Sequence, residues 1–306
     1  MKYFYGFLCL FVFSNSFSND YVIESFDNHL IHGTLIESSE LNSILSIIIS
    51  GSGPTDRDGN NISLKSDYLK ILAEGLQKNG ISTYRYDKRG VGRSLGDIES
   101  GNEIKFSDYI NDAVSIIKHF RDTKKFKKIV VIGHSEGALI GMIASNSIAD
   151  HFISIAGAGE DYLTVIQRQL SNRAPYIKSM SDSIIKQLRN NKTVDSVSPI
   201  MNNLFNISAQ RFLIDASSYD PTEQISKLNI PVLIIQGTND IQIEVNDAQM
   251  LHNAALNSRL EIIVGMNHVF RQASENYFLN LQTYGNPELP IDNSLVNLIT
   301  DFLYEN

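Results

Sequence analysis

The stretch Lys128-Ile129-Val130-Val131-Ile132-Gly133-His134-Ser135-Glu136-Gly137-Ala138-Leu139 decides how this chain is read. It joins an apolar, β-branched run to Gly-x-Ser-x-Gly and then to a run of small residues. A strand that turns sharply into a helix needs its two limbs to come close, and Gly133 and Gly137 allow this because they lack a Cβ. Ser135 is then carried at the tip of the turn with its hydroxyl exposed, the arrangement called a nucleophile elbow. Composition alone produces the pentapeptide in roughly one chain in ten of this length. A Gly-rich turn is therefore the competing reading, and the rest of the chain has to decide between the two.

Working outward, apolar runs alternate with helical periodicity. Tyr21 to Phe26 and His29 to Ile36 read as a hairpin around Asp27-Asn28, and Ile44 to Ile49 as a strand covered on both faces. Further strands are expected at Ile81 to Tyr86, Lys128 to Ile132, Phe152 to Ala156, Ile230 to Gly237 and Leu260 to Val264. Helices are expected at Asp67 to Lys78, Phe106 to Phe120, Ala138 to Ile148, Asn246 to Leu256 and Leu295 to Tyr304. This alternation predicts an α/β fold, a mostly parallel central sheet flanked by helices. The rhythm breaks from about 160 to 220, where only polar helical stretches occur, and this segment is expected to be a helical cap over the sheet edge.

The loops that follow the strands carry the chemistry. In a parallel sheet the ends where strands give way to their following helices are where ligands bind. A serine hydroxyl needs a base to take its proton, and a histidine base works best when a carboxylate holds its tautomer. Asp240 follows one strand and His268 the last. The chain order Ser135, Asp240, His268 is one of the three known orders of this constellation. His134 is expected to point away from the nucleophile, and His119, His252 and Asp247 fall within helices. A tetrahedral intermediate needs two backbone donors. The amide of Glu136 is one candidate and that of Ser52, with Gly53 in reserve, the other; Pro54 has no N–H. No role follows for the Glu136 side chain. No histidine spacing suggests a metal site, and no cofactor is implied.

The formal net charge is −8, with no basic patch interleaved with aromatics, so nucleic acid is not an expected partner. At the N-terminus, Lys2 precedes a short apolar run ending at Phe13, followed by the polar segment Ser14 to Asp20. This pattern predicts a signal peptide over 1–18, cleaved after Ser18, and a secreted or periplasmic protein without stable membrane insertion after cleavage. A buried N-terminal strand is the alternative. The only cysteine, Cys9, lies inside that segment, so the mature chain 19–306 would hold no thiol for disulfides, catalysis or metal binding.

Three motifs together, Gly133-His134-Ser135-Glu136-Gly137, Asp87-Lys88-Arg89-Gly90-Val91-Gly92-Arg93-Ser94 and Ser50-Gly51-Ser52-Gly53-Pro54-Thr55-Asp56-Arg57-Asp58-Gly59, resemble the bacterial α/β-hydrolase superfamily. The nearest branch is the esterase-like group related to serine aminopeptidases and dienelactone hydrolases, over roughly 44 to 304. The resemblance implies a carboxylic ester hydrolase acting on a small-molecule ester. Many members open the oxyanion loop with His-Gly, where this chain has Ser50-Gly51. Two alternatives stay open. One is a peptidase or aminopeptidase of the same fold, with Glu136, Glu160 or Asp161 to hold a substrate amine. The other is a catalytically inactive binding protein. The oligomeric state does not follow from the sequence.

Overall fold

The computed structural model describes residues 19–39, 44–96 and 104–305. The signal-peptide segment 1–18 lies outside these residues. Eight strands form one sheet: β1 (Asn19–Glu24), β2 (Leu30–Ile36), β3 (Ile44–Ile49), β4 (Ser82–Tyr86), β5 (Lys128–His134), β6 (His151–Ile155), β7 (Val232–Gly237) and β8 (Ser258–Ile263). Their order is β1-β2-β4-β3-β5-β6-β7-β8. The β1–β2 and β2–β4 pairs are antiparallel and all the others parallel. The sheet thus carries an antiparallel edge on a parallel body, the expected α/β architecture.

The apolar runs are continuous because successive residues serve opposite faces. In β3, Leu45, Ile47 and Ile49 join one core cluster, while Ile44 and Ile48 join the other. In β5, Val131 faces the first cluster, and Val130 and Ile132 the second. Burying both faces favours aliphatic side chains at every position, which removes the polar alternation of a half-exposed strand. Helices α1 (Tyr68–Lys78), α2 (Phe106–Thr123) and α3 (Glu136–Ser145) follow the first strands of the body. Leu69, Leu72 and Leu76 of α1 enter one cluster, while Ile110, Ile117 and Phe120 of α2 and Ile140 of α3 enter the other.

Between β6 and β7 the chain forms α4 (Tyr162–Arg173), α5 (Lys178–Leu188), α6 (Asn202–Phe205), α7 (Ile207–Ala216) and α8 (Pro221–Ile225). Nine buried residues from this region, among them Leu163, Ile166, Ile185, Leu188, Phe205 and Leu213, make an apolar cluster separate from the two sheet clusters. Ile225 of α8 already belongs to the main core. The remaining helices are α9 (Val245–Ala254), α10 (Tyr277–Gln282) and α11 (Asn293–Glu305). Among the described residues no helix is long and apolar enough to cross a membrane.

Candidate active site

Ser135 sits between β5 and α3 at φ 54°, ψ −119°. Positive φ is rare and strained for a residue with a side chain, and here the surroundings enforce it. A Cβ on Gly133 would lie 2.2 Å from the Gly137 carbonyl oxygen, and one on Gly137 would lie 2.4 Å from that of Ile49. Strand and helix are therefore in backbone contact on both sides of the serine. The helix begins at Glu136, two residues earlier than periodicity suggests, because Gly137 lets the first turn settle directly on the end of β3.

Asp240 and His268, from the loops after β7 and β8, are brought together, with His268 Nδ1 2.7 Å from Asp240 Oδ2. The aspartate also accepts from Gln236 Nε2 at 3.1 Å and from the amides of Gln242 and Ile243 at 2.7 and 3.0 Å. Four donors on one buried carboxylate leave it no freedom to turn. A carboxylate only accepts, so Nδ1 carries a proton and donates it to Asp240, which leaves Nε2 as the nitrogen able to serve as a base.

His134 is buried, and its ring is held by a side chain and a backbone group. Its ring lies 4.6 Å from that of His268, and its Nε2 is 2.9 Å from the His268 carbonyl oxygen. The Tyr68 hydroxyl is 3.1 Å from its Nδ1. Burial, with His268 and the Lys88 ammonium nearby, holds its pKa well below the ordinary 6.5. The ring is thus neutral, donates to the His268 backbone and accepts from Tyr68. Three further aspartates are engaged elsewhere: Asp247 is fully buried and pairs with Arg168. Asp215 accepts from the Ser107 amide, and Asp220 caps α8.

Ser52, Gly53, Ser135 and Glu136 line one side of a cavity of about 470 Å³. The cavity is also lined by the apolar Leu139 of α3 and by Ile166, Leu204, Phe212 and Leu213 of the helices between β6 and β7, with the polar Glu160, Gln169 and Gln242 also in the lining. Glu136 is the first residue of α3, so its amide has no acceptor within the helix and sits at the positive end of the helix dipole.

Two residues of this site escape a reading of the sequence. The buried Lys88, in the loop after β4, places its ammonium 2.5 Å from Glu136 Oε1 and 2.6 Å from the Gly51 carbonyl oxygen. Tyr162, the first residue of α4, donates its hydroxyl to Glu136 Oε2 at 2.6 Å. Burial and the Glu136 carboxylate raise the Tyr162 pKa well above 10, so it remains a donor. The signal available in sequence was the alternation Asp87-Lys88-Arg89 at a strand end. Asp87 pairs with Arg57 at 2.7 Å and Arg89 with Asp112 at 2.7 Å, which clamps the loop on either side of Lys88.

The remaining acids proposed for an amine are also engaged. Glu160 lies 2.6 Å from Arg168. Asp161 caps α4 and faces Arg189 at 3.4 Å. Among the described residues no group of three or more His, Cys, Asp or Glu side chains could hold a metal ion.

Residues 65–271, more than half of the chain, match the family described as serine aminopeptidase S33. Esterase EstD of Thermotoga maritima is 28% identical over 207 residues, covering 67% of this chain and 48% of that protein. The chain thus spans about half the length of that relative. A proline iminopeptidase of Saccharolobus solfataricus is 25% identical over 253 residues, covering 70% of this chain and 78% of that protein. Among solved structures, Est1E from Butyrivibrio proteoclasticus with bound ferulic acid superposes with a TM-score of 0.64 at 17% identity. The match covers 93% of this chain and 98% of the other. The Pyrococcus furiosus esterase Pf2001 gives a TM-score of 0.59 at 17% identity, over 94% and 90% of the two chains. These likenesses carry the fold, while the family match covers the elbow and the loops bearing Asp240 and His268, so the chain belongs to the serine aminopeptidase family of α/β hydrolases.

Proposed function

We propose that this protein is a serine esterase that works through an acyl-enzyme. Ser135 attacks the ester carbonyl as His268 Nε2 takes its proton. Asp240 holds the histidine tautomer and balances the imidazolium, and the amides of Glu136 and Ser52 receive the oxyanion. His268 returns the proton to the departing alcohol. Water, activated by the same histidine, then releases the acid. The observation that supports this reading is a strained serine at φ 54° after β5, with a histidine held 2.7 Å from a buried aspartate in the loops that follow β8 and β7 of the same sheet. The apolar side chains in the lining of the cavity beside Ser135 suit a neutral acyl chain.

The iminopeptidase relative keeps an aminopeptidase in view. Such an enzyme needs an unpaired anion for the substrate ammonium. Glu136, Glu160 and Asp161 already face Lys88, Arg168 and Arg189, which favours the ester. Hydrolysis of p-nitrophenyl butyrate should be readily measured and should vanish in folded Ser135→Ala. Higher turnover of aminoacyl-p-nitroanilides than of simple esters would replace the ester reading with the peptidase one. Export is part of the same proposal and is supported by the pattern over 1–18. N-terminal sequencing of exported protein is expected to begin at Asn19, which leaves β1 whole.

A further inference from the structure

We infer that Lys88 is the positioning residue of the oxyanion site. Its buried ammonium fixes the peptide that carries the second donor and ties that peptide to the residue that carries the first. This rests on the esterase reading of Ser135.

The Gly51-Ser52 peptide carries the second donor, the Ser52 N–H. No described peptide bond is cis. In a trans peptide the carbonyl and the N–H point in opposite directions. Lys88 Nζ holds the Gly51 carbonyl oxygen at 2.6 Å, and this sets the direction of the Ser52 N–H on the other side of the same rigid plane. The plane lies against the nucleophile, since a Cβ on Gly51 would be 3.2 Å from Ser135 Cβ. Ser52 itself lines the cavity.

The second contact of the ammonium closes the unit. Glu136 Oε1 lies 2.5 Å from Nζ, and Glu136 contributes the other amide. One charge therefore links both donors. Oxyanion stabilisation depends on donors already aimed where charge will develop. A glycine-rich loop such as Ser50-Gly51-Ser52-Gly53 cannot supply that rigidity alone. Lys88 is itself rigid: its neighbours Asp87 and Arg89 sit in separate buried ion pairs, and the Tyr109 ring lies 4.9 Å from its Nζ. Tyr162 donates to the second oxygen of Glu136 and completes the polar unit from α4.

A competing role is simple neutralisation: Lys88 would only cancel a carboxylate beside the nucleophile. Two variants separate the roles. Lys88→Met removes the ammonium and leaves Glu136 charged. Lys88→Met with Glu136→Gln removes both charges and avoids an unpaired buried ion, which favours folding. Each is assayed for kcat, KM and inhibition by a trifluoromethyl ketone that mimics the tetrahedral adduct. Positioning by Lys88 requires that both folded variants lose about 100-fold in kcat, the scale of one lost oxyanion donor. KM should stay within about threefold, and the inhibition constant should rise in step with the fall in kcat/KM. Wild-type kcat in the double variant, or a fall in kcat with inhibitor affinity unchanged, would overturn the inference. Wild-type hydrolysis and its loss in Ser135→Ala are run alongside. Failure of those controls removes the esterase reading, whereas failure of the Lys88 variants alone removes only this inference.

Discussion

The loops that end β4, β5, β7 and β8 are held by buried polar contacts, whereas the helices from Tyr162 to Ala216 are held by an apolar cluster of their own. At the sheet edge Asp240 accepts four hydrogen bonds, Lys88 donates to two acceptors, and His134 bridges Tyr68 to the His268 backbone. Such contacts are directional: they fix a side chain to one orientation and are costly to break. Apolar contacts among Leu163, Ile166, Ile185 and Phe205 are non-directional and tolerate repacking if volume is kept. On the proposed reading, chemistry belongs to the first region and substrate fit to the second.

That division can be broken most sharply at Asp240. Asp240→Asn preserves size but cannot balance an imidazolium or fix the productive tautomer. A fall in kcat of about 10⁴-fold is expected from steady-state kinetics, and a fall below tenfold would remove Asp240 from the mechanism. Next is Gly137→Ala. The added methyl would lie 2.4 Å from the Ile49 carbonyl. A loss of about 3 kcal/mol or more is expected in urea unfolding, since backbone rather than a side chain must move. Unchanged stability would show that the elbow can relax.

His134 gives a pH test. Its folded pKa lies well below the ordinary 6.5, so below pH 6.5 the unfolded chain binds a proton that the folded chain does not. Stability is therefore present above pH 6.5 and falls as pH drops toward the folded value. The contribution reaches at most about 1.4 kcal/mol per pH unit. Urea unfolding of His134→Gln between pH 7 and 5 should lack this part of the slope. An identical slope would place the proton uptake elsewhere. The smallest effect belongs to the apolar lining. Leu204→Trp narrows the cavity, and kcat/KM for a p-nitrophenyl octanoate should drop about tenfold while acetate changes less than twofold. An equal loss on both esters would mean that the helices between β6 and β7 do not set chain-length preference.

What could be read from the sequence follows the same division. Strands buried on both faces announce themselves as apolar runs, so β3, β5 and β7 were legible within a residue or two. Ser135, Asp240 and His268 could be proposed from the sequence because each follows a strand and chain order constrains them. The partners of Glu136 were not, since Lys88 lies 48 residues away and Tyr162 26, and no local period encodes a contact across the sheet edge. The partner of His134 was not legible for the same reason: it is a backbone carbonyl 134 residues away. Helix α10 was invisible as well. Its six residues are too few for periodicity, and its buried Asn280 binds the Asn267 side chain and the Asn239 carbonyl. Between β6 and β7, helices were foreseen, but the separate apolar cluster that they share was not, because its members come from different helices.

The most direct test of the central claim is the intact mass of the protein after brief exposure to a fluorophosphonate, followed by mapping of the labelled peptide. An activated Ser135 is expected to take up one adduct on Gly133–Gly137 in the wild type and none in His268→Ala. Absence of labelling in folded wild-type protein, or labelling that persists unchanged without His268, would contradict it.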